Sequence, residues 1–294
     1  MAAQTLSFQS EPDLTRLFAS AVVNGRHTAA VLPEVSAERT RVVVAAVAIV
    51  DYAHVCGFSV GAHPPVTWPH VLGFPLQAVV MSRRDFPLSM VGLVHLENRI
   101  TWTRPLEYGE SLDVRVHATD LRPHRRGRLV DLVAEVSAAG TDEVVWRGVS
   151  TYLARGAGDP TAVESKPPNV GALRAAEGSI VWRVDEGAGR RYASVSGDVN
   201  PIHLHALTAR MFGFPRAIAH GMYTYPRVLA SLGARLPNAG SSTVWFRKPV
   251  TLPSTVRLAV SDDGHTAVLF PTKGEGEHLV VTVDARSPQP TTQQ

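Results

Sequence analysis

The chain of 294 residues has one cysteine, Cys56, so it can close no disulfide within itself. A reducing compartment fits that composition, and the cytoplasm is the expected location. Long apolar runs are missing too. The longest, Val42 to Val50, is too short to cross a bilayer, so no transmembrane segment is expected. The opening residues MAAQTLSFQSEPDLTRLF show no basic stretch followed by an apolar core, so no secretory signal is expected. Neither sign of charge dominates: 29 Lys and Arg against 26 Asp and Glu leave +3, with the cations interspersed. That pattern argues against a nucleic-acid partner and leaves small anionic ligands open. No Walker A or dinucleotide-binding glycine pattern follows a predicted strand, so no nucleotide cofactor is expected. His203 and His205 have no cysteine partner and no His-Glu-x-x-His run, so no metal site is expected.

What is present is a globular composition, with 45% hydrophobic and 19% charged residues. It is arranged twice. YAHVCGF (52–58) lies on YASVSGD (192–198) at an offset of 140, and each follows a β-branched run. ITWTRPLEYGESLDVRV (100–116) lies on VWFRKPVTLPSTVRLAV (244–260) at an offset of 144. Between these anchors, PHVLGFPLQAVVM (69–81) resembles AHGMYTYPRVLAS (219–231). Three matches in the same order indicate two copies of one fold. The Gly- and Pro-rich stretch from Gly156 to Leu173 reads as a linker. The predicted organisation is a first unit over 1–155, a linker over 156–173 and a second unit over 174–294.

Each copy reads as strand, short helix, loop, longer apolar helix, then a meander of strands. LDVRVHATDL and RLVDLVAEVSA alternate with period two, and RPHRRG between them suggests a hairpin. Asp263-Gly264 marks another turn. Residues 1–38 read as partly helical or irregular. The stretch Met222 to Leu236 is apolar on most sides and wants burial, with Pro226 placed near its start. The fold class is α+β, each copy an antiparallel sheet wrapped around one buried helix.

The chemistry concentrates in SGDVNPIHLHA (196–206). Asn200-Pro201 is a strong helix start, with Asn capping and Pro at the first helical position. Asp198 then sits in the preceding turn and His203 in the first helical turn, so both can face one cleft. A turn-forming Asp198 and a half-exposed His203 are the alternative reading. The repeat shifts the balance, because the first copy has Phe58 and Val60 where the second has Asp198 and Asn200. A residue needed only by the fold would tend to persist in both copies. Gly221 lies just before the buried helix, where backbone N–H groups suit a developing oxyanion. A glycine needed for tight packing is the alternative.

The stretch YASVSGDVNPIHLHALTARMFGFPRAIAHGM (192–222) resembles the signature of the MaoC-like hydratases and dehydratases, also called hydratase 2. HLENRITWTRP and LRPHRRGRLVDLVAEVS extend the resemblance to the first half of actinobacterial double-hotdog (3R)-hydroxyacyl-thioester dehydratases. It implies a double hotdog with a degenerate first copy and an active second one. It also implies a lyase that hydrates trans-2-enoyl thioesters or dehydrates (3R)-3-hydroxyacyl thioesters in fatty-acid metabolism. Asp198 and His203 would activate water, and the Gly221 N–H would bind the thioester carbonyl. Asn200, Ser196 and His220 would support them, with Tyr192, Met222, Arg247 and Lys248 toward the substrate. Coenzyme A or the phosphopantetheine of an acyl carrier protein enters as part of the substrate. Some relatives support the catalytic Asp with a serine two helical turns after the glycine. That position is near Leu229 here, which leaves Thr224 or Ser231 as substitutes.

Three functions compete: the lyase, a hotdog thioesterase, and a non-catalytic acyl-binding subunit. The intact Asp-x-Asn-Pro-x-His and His-Gly-Met favour the first. RPHRRGR (122–128) reads either as a phosphate or carrier-protein contact or as a solvated hairpin tip. His95 and Glu97 are predicted to share a strand face, which either lines the cleft between the halves or is an exposed polar face. The two copies can pair edge to edge within one chain, so monomer and homodimer are both open.

Overall fold

The computed structural model describes residues 4–23, 29–174 and 179–285. The alternating stretches become strands β1 (Gln4–Ser7), β2 (Val35–Val43), β3 (Val94–Trp102), β4 (Ser111–His124), β5 (Gly127–Ala138), β6 (Val144–Arg155), β7 (Ile180–Val184), β8 (Gly240–Phe246), β9 (Ser254–Val260), β10 (Thr266–Pro271) and β11 (Leu279–Ala285). The helices are α1 (Leu14–Val23), α2 (Ala46–Cys56), α3 (Pro69–Met81), α4 (Gly171–Arg174), α5 (Ala188–Ser196), α6 (Pro201–Leu204), α7 (Ala206–Met211) and α8 (Gly221–Leu232). No helix among the described residues is long and apolar enough to cross a membrane.

All these strands join one sheet in the order β1-β2-β4-β5-β6-β3-β8-β11-β10-β9-β7. With β1 set aside, the order is palindromic about the β3–β8 pair. The sequence repeat accounts for this, since β3 and β8 carry matching segments. They pair antiparallel, with Ile100 opposite Ser242 and Asn98 opposite Val244. The matching helices α2 and α5 also meet, and Tyr52 and Tyr192 lie 6.4 Å apart between ring centroids.

Helix α3 packs on β2, β4 and β5, and α8 is its buried counterpart. The two copies therefore form a double hotdog, and one continuous apolar core runs through both. Helix α8 departs from expectation at both ends. It starts at Gly221 and stops at Leu232, because Gly233 takes φ +54 and a short 3-10 turn follows. Pro226 is its sixth residue, which removes the N–H that would bond to the Met222 carbonyl.

Three local expectations also change. The N-terminal region contains β1, which lies parallel to β2 with Gln4 opposite Val35. The first hairpin is tighter than RPHRRG suggested: β4 runs through His124, and β5 resumes at Gly127. Its tip is pinned to Glu164, to which Arg125 makes two 2.8 Å bonds and from whose carboxylate His124 Nε2 lies 3.0 Å. A bulge interrupts β3 between His95 and Glu97, so these two do not share a face. His95 turns to the cavity described below, whereas Glu97 lies 3.7 Å from Arg99.

Candidate active site

Helix α5 ends where Gly197 adopts the left-handed conformation at φ +71. Ser196 Oγ donates to the Tyr192 carbonyl at 2.8 Å and accepts the Asp198 N–H at 3.2 Å. The chain then turns. Asp198 Oδ1 accepts the Asn200 N–H at 3.2 Å, and Asn200 Oδ1 accepts the Ile202 N–H at 3.4 Å, capping α6. Pro201 is the first residue of α6 and His203 the third. Asn200 thus shapes the loop that carries Asp198.

His203 Nδ1 lies 2.8 Å from the Ile218 carbonyl. A carbonyl can only accept, so Nδ1 carries the proton and Nε2 keeps its lone pair. His220 Nε2–H donates to the Asp198 carbonyl at 3.0 Å and lies 3.7 Å from Oδ2 of the same residue. The two imidazoles stack at 3.7 Å with 28° between their planes. Ligating atoms of Asp198, His203 and His220 all fall within 4.8 Å of one another. The set nevertheless suits a metal poorly. Lone pairs of stacked rings lie in near-parallel planes and do not converge on one ion, and one nitrogen of each ring is already committed to a carbonyl.

These groups open into a cavity of about 710 Å³. Gly221, the first residue of α8, is on its wall, and its N–H has no acceptor within the helix. A Cβ at that position would sit 2.8 Å from the Phe246 ring, so the close packing of that ring on the start of α8 requires glycine here. Tyr192 packs its ring 4.9 Å from His220, and Met222 lines the same wall. Arg247 and Lys248 stand on the exposed rim, where Lys248 Nζ donates to the Glu275 carbonyl at 2.7 Å. Arg126, from the hairpin tip, and Arg155 reach the same cavity. His205 is exposed and precedes α7.

Burial sets the electrostatics. It pushes the Asp198 carboxyl up from its ordinary value, against a downward pull from His203. It pulls His203 down, against an upward pull from Asp198. His220 falls well below the histidine range, through burial and then through His203. The imidazoles are therefore neutral at pH 7 and the two members of the Asp198–His203 pair titrate closer together.

Thr224 and Ser231 do not support Asp198. Thr224 Oγ1 donates to the Gly221 carbonyl at 3.0 Å, and Ser231 Oγ donates to the Arg227 carbonyl at 3.0 Å. His220 and Ser196 hold the aspartate instead. His95 lines the cavity, as one reading of its strand face allowed, whereas His70 and Tyr152 from the first copy escaped the sequence reading. One signal could have found His70, because the repeat sets it opposite His220. Phe58 and Val60, which take the places of Asp198 and Asn200, do not line the cavity, and Val60 is exposed.

Burial lowers His70 to about 4 and His95 to about 3. Both are neutral when folded, whereas the unfolded chain takes up their protons near pH 6.5. The stability they carry is full above pH 6.5 and drains as the pH falls toward the folded values. For His70 alone the loss by pH 4 is about 3 kcal/mol. Urea midpoints at pH 7.5 and pH 4.5 should differ accordingly, and His70→Phe should narrow the gap. An unchanged gap in that variant would assign the acid sensitivity elsewhere.

Comparison with known proteins identifies the family. Residues 175–283 match the family model described as MaoC like domain. The 3-hydroxyacyl-thioester dehydratase X of Mycobacterium tuberculosis is 40% identical over 237 residues, covering 80% of this chain and 84% of that protein. The crystal structure of HtdX from the same organism superposes with a TM-score of 0.72 at 38% identity, covering 84% of this chain and 98% of that one. A MaoC-like dehydratase from Phytophthora capsici shares the fold at a TM-score of 0.69 and 16% identity, over 85% of this chain and 95% of that one.

Proposed function

The chain belongs to the MaoC-like dehydratase family, and on that premise we propose that Asp198 and His203 are the pair that carries its chemistry. The protein is a lyase of fatty-acid metabolism, acting between 3-hydroxyacyl and trans-2-enoyl thioesters. One observation supports the assignment of the pair above all. The His203 tautomer is fixed by the Ile218 carbonyl, which aims a basic Nε2 into the same cavity as the Asp198 carboxylate.

In the hydration direction, a water sits between His203 Nε2 and the Asp198 carboxylate. The pair takes a proton from it as its oxygen bonds to C3. The C2–C3 π electrons shift toward the thioester, and the oxygen that gains charge meets the Gly221 N–H at the start of α8. The proton held by the pair passes to C2, and the carbonyl re-forms. Water has been added across the double bond, and dehydration is the reverse. The stacking of His220 on His203 and its bond to the Asp198 carbonyl keep both partners in register.

Arg126 and Arg155 from the first copy, with Arg247 and Lys248 from the second, rim the cavity at the ends of neighbouring strands. Phosphates of the thioester carrier would meet this rim, whether they belong to coenzyme A or to a carrier protein's phosphopantetheine.

The test is loss of enoyl absorbance when the purified protein meets crotonyl-CoA, with product chirality determined. Formation of the (3R) alcohol is expected. Because His203 must be neutral and burial lowers it, kcat/KM should hold level through neutral pH and fall only below the ordinary histidine value of 6.5. Release of free thiol would instead establish a thioesterase, and neither product would favour an acyl-binding subunit.

A further inference from the structure

The cavity continues past the dyad into the first copy, and its wall there is not uniformly apolar. His70, the second residue of α3, is only 4% exposed yet lines the cavity. Its ring nitrogens have no hydrogen-bond partner among the described residues. The ring is neutral, so it offers one donor and one acceptor. His95 lies beside it, with ring centroids 6.4 Å apart and planes within 16°. The Nε2 of His95 also lacks a partner among the described residues. Val71, Phe74 and Met90 make the surrounding wall apolar.

Buried polar groups are normally paired, and the unpaired Nε2 of His95 costs stability. The His70 nitrogens, in contrast, are not fully buried orphans and are reachable from the cavity. A pocket for a plain alkyl chain would be served better by leucine or phenylalanine at this position. The repeat shows how the imidazole became available. His70 answers to His220, whose Nε2–H is taken by the Asp198 carbonyl. In the first copy the corresponding bond, to the backbone carbonyl of Phe58, is not made, and His70 fronts the cavity.

The position along the substrate follows from a row of rings. Phe246 stands against Gly221, to which the hydratase reading assigns the thioester carbonyl. His95 is 5.0 Å from Phe246, and His70 is one ring further on. We propose that His70, backed by His95, recognises a hydrogen-bonding oxygen on the acyl chain several carbons beyond C3, so that the preferred substrates are oxygenated acyl thioesters. This rests on the hydratase reading above and adds to it a class of acyl chain.

The experiment compares kcat/KM of the full-length protein for trans-2-decenoyl-CoA and for the same chain carrying one hydroxyl at each successive carbon from the fifth outward. One hydroxylated isomer should exceed the plain chain by about tenfold or more, as expected for one buried hydrogen bond. His70→Phe should bring that ratio to about one, and His70→Gln, which keeps a donor and an acceptor, should retain part of it. The ratio within one preparation does not depend on how much protein is folded, and the wild-type comparison needs no variant. A plain chain that matches or beats every hydroxylated isomer overturns the inference, as does a preference that survives His70→Phe. Turnover without preference overturns this inference alone. No turnover of any chain overturns the hydratase reading and this inference with it.

Discussion

Asp198→Asn lowers kcat for hydration of crotonyl-CoA by about a thousandfold while the melting temperature holds or rises. The amide has nearly the volume of the carboxylate, and its oxygen can still accept the Asn200 N–H that shapes the loop. The backbone carbonyl that receives the His220 N–H is untouched. What disappears is the negative charge and proton affinity next to His203. Burial already pushes this carboxyl up, so the folded protein holds the ionised form at a cost that the unfolded chain does not bear. Near neutral pH the substitution removes that cost. Activity and stability therefore move in opposite directions, as they do when a site is kept for chemistry. Steady-state rates and a thermal melt on the same preparation check both. Activity within tenfold of wild type would remove Asp198 from the reaction. An equal fall in rate and stability would make it a structural turn residue.

The parts legible in the sequence were those governed by short spacing or by the repeat. Asn200-Pro201 fixes where α6 begins, and that alone puts Asp198 and His203 on one side of a turn. The repeat, with the two copies pairing edge to edge, leaves the order open between tandem and palindromic, and the pairing of β3 with its counterpart β8 makes it palindromic. The walls supplied by the other copy were legible only in part. His95 comes beside Phe246 only because β3 and β8 pair in one register. The bulge after His95 then decides which of His95 and Glu97 faces the cavity, and alternation along a strand does not reveal bulges. The Ile218 carbonyl that fixes the His203 tautomer was hidden for a similar reason. It is a backbone atom 15 positions away, and no residue type marks it. Of the supports expected for Asp198, His220 and Ser196 bond to its backbone, whereas Thr224 and Ser231 on α8 bond to carbonyls of their own helix.

Gly189→Ala should cost the enzyme about a hundredfold in kcat, although alanine is ordinarily the better helix former by about 1 kcal/mol. Gly189 is the second residue of α5, and its φ lies outside the left-handed region, so helix propensity alone predicts a gain. Packing reverses the sign. A Cβ there would lie 2.0 Å from the His203 carbonyl oxygen and 3.0 Å from its carbonyl carbon. Both are backbone atoms of α6 and cannot swing aside as a side-chain tip can. Helix α5 or α6 must move, and α6 is only four residues long. Its movement carries the His203 ring away from the Ile218 carbonyl and out of the stack on His220, which frees the tautomer and misaims Nε2. The overpacking should also take about 1–3 kcal/mol of stability. The measurements are kcat with crotonyl-CoA and the urea midpoint, with Gly171→Ala at the exposed start of α4 as the control for a helical glycine without that contact. A Gly189→Ala protein that is stabilised and fully active would show that α6 gives way freely and that its close seating on α5 is not what aims His203.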